Sequence, residues 1–385
     1  MQGAGVNNGT LKSRNRGLVL RLLTTGECTS RIDVAKRTGL SKMAATNIIA
    51  GFIEDGILEE RETIQVGGKG RNPIQLGLSP KAPKMIGVYI GRNECSAVLN
   101  DMHLTVLSKA GYALTRDNQD HLYEMICRCI ERILKKAADE KIWGICVSAA
   151  GAVDTENGTF RNLPEITGAG SVPLKSLLEE KFQMPVVLEN RYNGAAIAEK
   201  LYGNGRDAEN LLFCGICEEI GFGLALGGGM RNLRGMLGGL GHMSIEMKGR
   251  QCKCGRRGCL QMYASIPMVR AKYRKVSGEE LTFREICRNA EKGNAFAAET
   301  LDDMTERLAC GLTNAVNLFA PQKILIGFDG CILPSKYITR LEKSVNERSL
   351  TEDFISVQKP SFGRNAGIRG CTSMLLMNVF NGEMF

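Results

Sequence analysis

No run of 18 or more apolar residues occurs in the 385-residue sequence, and its opening MQGAGVNNGT lacks a basic segment followed by an apolar stretch. Neither a membrane-spanning helix nor a secretory signal is expected, so the chain reads as a cytoplasmic protein with no membrane partner. Short-period repeats and low-complexity tracts are absent too, which argues against repeat architectures. What is present is length and apolar content. Single cores stop growing at roughly 250 residues, so a chain of 385 residues that is 43% hydrophobic suits two or three domains.

Cysteine is not scarce, at 14 residues, but three cluster between 252 and 259 while eleven scatter through apolar segments. That distribution argues against an extracellular disulfide scaffold and for buried thiols in a reducing compartment. Cys214 and Cys217 form a CxxC inside the strand-like run NLLFCGIC, where core packing is the expectation rather than redox chemistry. Positive charge is concentrated at one end. Residues 1–84 carry thirteen Lys/Arg against seven Asp/Glu, an excess of six out of the net +9, so a polyanion would bind there.

The same segment has the pattern of a winged helix-turn-helix over residues 11–78. RNRGLVLRLLT places Leu18, Leu22 and Leu23 on one helical face. Thr29 or Ser30 then offers an N-cap with Asp33 in the first turn, and Gly39 a left-handed stop. Ser41 caps a third helix whose Ala45, Ile48, Ile49 and Phe52 share one side. After Gly56, ILEERETIQ and IQLGL read as strands joined by the glycine-rich tip GGKGRNP, a hairpin wing. SPKAPK, residues 79–84, reads as a linker. From residue 85 buried strands alternate with amphipathic helices, the signature of an α/β domain, and a second strand-rich block from LLFCGICEEIGFGLALGGG to QKILIGFDG suggests a second lobe.

Function follows from the exposed positions. Opposite the apolar stripe of the third helix lie Lys42, Met43, Thr46 and Asn47, with Ser41 at its start, free to enter a major groove. Asn47 can pair with adenine and the Thr46 methyl can meet thymine, but no arginine is there to read guanine, so the operator is expected to be AT-rich. Lys69 and Arg71 at the wing tip would reach phosphates or a narrow minor groove. The competing reading is a three-helix protein-interaction module. Further along, His242, Cys252, Cys254 and Cys259 supply one nitrogen and three sulfurs, the ligand set of a closed structural zinc site. Thiolates beside Arg256 and Arg257 could instead be a redox sensor.

The run Gly241-His242-Met243 followed by Cys252-x-Cys254-Gly255-x-x-Gly258-Cys259 resembles the signature of the ROK (repressor, open reading frame, kinase) family. The winged head and GGKGRNP tip look like those of its xylose- and N-acetylglucosamine-type repressors. VSAAGAVD (147–154), FRNLPE (160–165), LENRYNGAAIAEKLYG (188–203) and GRNAGIRGC (363–371) also resemble family segments. The resemblance implies a two-lobed, actin-like sugar-kinase fold over 85–385, the small lobe about 85–190 plus the C-terminal helix and the large lobe about 191–369. It further implies a homodimer or homotetramer, double-stranded palindromic DNA and a small-molecule sugar or sugar derivative as partners.

It also exposes departures. The family's kinases carry a general-base aspartate where Arg191 stands, and a guanidinium takes no proton. Their first phosphate loop aligns with Tyr89, Gly91, Arg92 and Asn93, their second has Thr and Gly where Glu218 and Glu219 stand, and their adenosine-side glycine run has become GFDG at 327–330. Loss of kinase activity is expected. Of the family's sugar-side positions, Gly151, Asn162, Asn190 and His242 match, whereas two glutamates have become Gly239 and Gln261. Two readings of Arg191 stay open: a cation for an anionic sugar, or an internal ion pair with Glu189 or Glu219. A residual sugar kinase with an accessory DNA head, and an effector-independent repressor, are the alternative functions.

Overall fold

The computed structural model describes residues 8–63, 74–91, 93–114, 121–154, 157–161, 173–226 and 237–384. Its first helix, α1 (Asn8–Thr24), buries Val19, Leu20, Leu22 and Leu23. The Ser30 hydroxyl caps α2 (Arg31–Thr38), accepting from the Asp33 N–H at 3.2 Å and donating to the Asp33 carboxylate at 2.8 Å. Gly39 ends that helix at φ 72°. Ser41 Oγ then accepts from the Ala44 N–H at 3.1 Å and starts α3 (Lys42–Glu54), whose Ala45, Ile49 and Phe52 are buried while Ile48 sits at the edge of the stripe. Antiparallel β1 (Leu58–Thr63) and β2 (Ile74–Leu78) form the wing, Leu58 facing Leu78. The wing tip, with Lys69 and Arg71, lies outside the described residues.

The body begins with β3 (Lys84–Ile90), β4 (Glu94–Asn100) and β5 (Val106–Ala113). Next come α4 (Leu122–Lys136), β6 (Ile142–Ala149), the small hairpin β7 (Ala152–Asp154) and β8 (Thr159–Arg161), α5 (Leu174–Phe182) and β9 (Val186–Asn190). These strands make a five-stranded sheet in the order β5-β4-β3-β6-β9, with β3, β6 and β9 parallel. On α4, Met125, Ile126, Cys129, Ile130 and Ile133 recur at helical spacing and are buried with the sheet in one core. After α6 (Arg191–Tyr202) a second sheet forms from β10 (Leu211–Ile216) and β11 (Ile220–Ala225). A helical layer follows: α7 (Gln261–Ala264), α8 (Ile266–Ser277), α9 (Phe283–Glu291) and α10 (Ala295–Phe319). The chain ends with β12 (Lys323–Phe328), α11 (Ser335–Arg348), β13 (Ser356–Gln358), α12 (Ala366–Gly370) and α13 (Ser373–Phe380). The second sheet runs β11-β10-β12-β13. The two sheets have separate apolar cores, and α6 packs against strands of both, which positions the site at its N-terminal end.

The segment 79–84 differs from a flexible tether. The Ser79 N–H donates to the Ile57 carbonyl at 2.9 Å, Ala82 is buried, and Lys84 already belongs to β3 with its ammonium held by the Pro80 and Ala82 carbonyls. Backbone hydrogen bonding fixes a stretch that has no apolar periodicity. The head's core is continuous with that of the body: Leu20, Phe52 and Leu76 share one apolar cluster with Met85, Leu201, Leu376 and Phe380. α1 lies so close to α13 that a Cβ at Gly17 would run into the Phe380 carbonyl. Among the described residues no helix is long and apolar enough to cross a membrane.

Candidate DNA-reading face, cation cluster and effector cleft

At the N-cap and over the first two turns of α3, Ser41, Lys42, Met43, Thr46 and Asn47 are all exposed, with Met43 75% accessible. The helix is held from behind. Arg16 stacks 4.7 Å from the Phe52 ring and pairs with Asp55 at 3.1 Å, and Arg31 on α2 pairs with Glu60 of the wing at 2.8 Å. A rigid helix therefore presents one lysine, one amide and one methyl-bearing hydroxyl to solvent, groups suited to base edges in a groove.

At the other end of the chain fold, the 3₁₀ turn Leu237–His242 and the loop 252–259 bring four ligand atoms together. The imidazole of His242 and the sulfurs of Cys252, Cys254 and Cys259 offer ligand atoms all within 4.8 Å of one another, and this group could hold a metal ion. A tetrahedral ion with sulfurs at about 2.3 Å and nitrogen at about 2.0 Å requires S···S edges of about 3.8 Å and S···N edges of about 3.5 Å. The observed Cys254–Cys259 separation is 3.6 Å and Cys252–His242 Nδ1 is 3.5 Å, two edges that match those of such an ion. Gly258, at φ 73°, passes so close to the Glu246 carbonyl that no side chain would fit. Burial pushes the His242 imidazole below its ordinary range, against the pull of Glu219, and a neutral ring is the form that binds a cation.

The expected effector-side residues gather at the β9–α6 junction. Asn190 caps α6 by accepting from the Tyr192 N–H at 2.9 Å, and its amide donates to the Gly151 carbonyl at 2.6 Å, so two of the expected sugar-side residues are joined. Gln261 points instead to the cysteine cluster, donating to Cys252 Sγ at 3.5 Å. Asn162 lies outside the described residues. Arg191, 4% exposed, donates to Glu219 Oε1 at 3.0 Å and to the Tyr192 hydroxyl at 3.2 Å, while that hydroxyl donates to the same Glu219 oxygen at 2.9 Å. Its guanidinium lies 5.2 Å and 5.9 Å from the Tyr192 and Phe328 rings. Glu189 does not take part: it accepts from the Asn190 N–H and the Asn193 amide, and burial pushes its carboxyl up to about 7. Tyr192 and Phe328, which hold this cluster together, lie in the family-like run 188–203 and the altered run GFDG at 327–330, but neither run tells that the two rings flank Arg191.

The sequence profile of the ROK family matches residues 85–377. The chain belongs to the ROK family. A xylose repressor of Caldicellulosiruptor bescii is 25% identical over 97% of this chain and 98% of its own length. The DNA-binding transcriptional repressor Mlc of Escherichia coli is 25% identical over 97% of this chain and 95% of its own length. A solved ROK family transcriptional regulator, described as a homologue of the E. coli Mlc protein, superimposes with a TM-score of 0.84 at 24% identity, over 97% of this chain and 98% of that one. A ROK glucokinase of Streptomyces griseus, in complex with glucose and AMPPNP, covers 76% of this chain and 98% of its own with a TM-score of 0.66 and 22% identity. The two structures establish the actin-like ROK sugar-kinase fold, and the first extends the likeness over almost the whole chain. At the position that the resemblance assigns to the ROK kinases' base, Arg191 is occupied by the carboxylate of Glu219, itself a departure in the second phosphate loop. The two departures contact each other directly.

Proposed function

We propose that this ROK chain is a DNA-binding transcriptional repressor of carbohydrate-metabolism genes, controlled by a sugar or sugar derivative in the cleft and without kinase activity. The observation that carries this reading is the exposed row Ser41, Lys42, Met43, Thr46 and Asn47 on a helix whose opposite side is locked into the core shared with the body. Relatives named as repressors align with the head as well as with the body. A cytoplasmic homodimer or homotetramer would set two such helices into successive major grooves about 34–36 Å apart on a palindromic, AT-rich operator, with Lys69 and Arg71 on the flanking phosphates.

In the cleft, Gly151, Asn162, Asn190 and His242 are the proposed sugar-side groups, whereas Gln261, whose amide donates to Cys252 Sγ, is not among them. Arg191 serves as an internal cation: its 3.0 Å contact with Glu219 supports this role over that of a free anion receptor. An arginine paired with a carboxylate has no lone pair for a sugar hydroxyl proton, which removes the base step of phosphoryl transfer. His242, Cys252, Cys254 and Cys259 would hold a structural zinc ion. Bound there, zinc supplies a cross-link between the 3₁₀ turn and the cysteine loop, since four protein ligands leave no open position for catalysis.

Fluorescence anisotropy of the full chain on its own upstream intergenic DNA, at fixed salt and with a panel of sugars, tests the reading. Binding well above that to random DNA, relieved by one sugar, is expected. Sequence-independent binding, or hexose-dependent ATP turnover above background, would overturn it. One zinc per chain, with a lower unfolding midpoint after chelation, is the expected metal result.

A further inference from the structure

The head and body meet across α1 and α2 on one side and α6 and α13 on the other, and this seam encloses a cavity of about 340 Å³. Four cations line it, Arg21, Arg37, Lys200 and Arg206, against one carboxylate, Glu27. Glu27 is already committed: it accepts from the Thr25 hydroxyl at 3.0 Å and faces Arg37 at 3.7 Å. Arg206 spends a donor on the Thr25 carbonyl at 2.7 Å, a contact that neutralises nothing. No carboxylate among the described residues pairs with Arg21 or Arg206. Among the described residues the Lys200 ammonium donates to the Ala208 carbonyl alone. Burial pushes it below its ordinary range and Arg21 pushes the same way, against the pull of Asp207, Glu209 and Glu27. Asp207 is itself paired with Lys323 at 2.6 Å and does not line the cavity.

We infer that this seam cavity is a second small-molecule site, separate from the cleft, and that it takes a phosphate-bearing metabolite. The charge argues for phosphate over carboxylate. Three cations in excess, two from the body and one from the head, are best matched by a group carrying about −1.5 to −2 and three acceptor oxygens. Arginine forks on opposite walls suit such an anion. The remaining wall is apolar, with Ile197, Leu201 and Met377, and offers cover to a carbon skeleton. The volume lies at the lower end of the roughly 300–1,000 Å³ of ligand pockets, which suits a molecule of hexose-phosphate size rather than a dinucleotide. An anion bridging Arg21 of the head to Lys200 of the body would relieve their mutual repulsion. It would favour whichever head position brings them closest, and any effect on DNA affinity is limited to its difference in affinity between head positions. The binding itself does not rest on the repressor reading; only that consequence does.

Isothermal titration calorimetry of the full chain without DNA, using glucose 6-phosphate as probe and glucose as the uncharged control, tests the site. One equivalent of glucose 6-phosphate is expected to bind. Its affinity should fall by about tenfold or more in Arg21→Gln and in Lys200→Gln, and by no more than about threefold in the charge-keeping Arg21→Lys. The Lys variant guards against a loss due to misfolding. Absence of heat at millimolar probe, or unchanged binding in both Gln variants, would overturn the inference.

Discussion

Glu189 and Arg191 are separated by one residue, and both are buried and ionisable, yet they solve burial differently. Arg191 has a carboxylate and a phenol to donate to; Glu189 has only amide donors and no cation. Its carboxyl, pushed by burial from an ordinary 4.5 to about 7, therefore holds its proton in the fold. The folded protein takes up a proton that the unfolded chain has released, so stability should fall as pH rises between those two values, by about 3 kcal/mol over the window. Urea unfolding between pH 4.5 and 8 checks this. Glu189→Gln should flatten the decline, and an equal slope in both proteins would refute the assignment. At this scale the sequence was half legible. It named Glu189 and Glu219 as the two candidate partners of Arg191, but the choice depends on Glu219 arriving from the β10–β11 turn, a proximity that spacing does not encode.

On α3, Ser41 and Asn47 are both exposed and perform separable tasks. Ser41 satisfies an orphan N–H at the helix start, whereas Asn47 stands on the solvent side of the helix, away from its buried stripe. Ser41→Ala is expected to cost about 1 kcal/mol of stability. Asn47→Ala should leave the unfolding midpoint unchanged, weaken operator binding by about 1–3 kcal/mol, and leave random-DNA binding as it was. Paired denaturation and anisotropy measurements separate the two. Equal losses on operator and random DNA would mean that Asn47 reads no base. Elements of this kind were legible because their signals are local: a capping hydroxyl, a left-handed glycine, an apolar stripe at helical spacing. The ligand set His242, Cys252, Cys254 and Cys259 was legible for the same reason, three of its members lying within eight residues.

The whole molecule was less legible, because its assembly rests on contacts between distant segments. The prolines of SPKAPK suggested a linker between head and body, while the structure puts Leu20 and Phe380 in one cluster and seats Gly17 against the Phe380 carbonyl. Calorimetry of the full chain should show head and body unfolding in one transition. Gly17→Leu, which forces the two helices apart, should cost about 1–3 kcal/mol and separate the head's melting from the body's. A single unshifted transition in that variant would show that the contact is unimportant.

A shared core also governs how such a protein can be recombined. Grafting residues 8–78 onto another body would carry away one half of an apolar interface whose other half stays behind on α13. The graft should aggregate or lose its orientation on DNA unless the receiving body brings a matching C-terminal helix. In this chain the two ends of the sequence must be exchanged, or diversify, together.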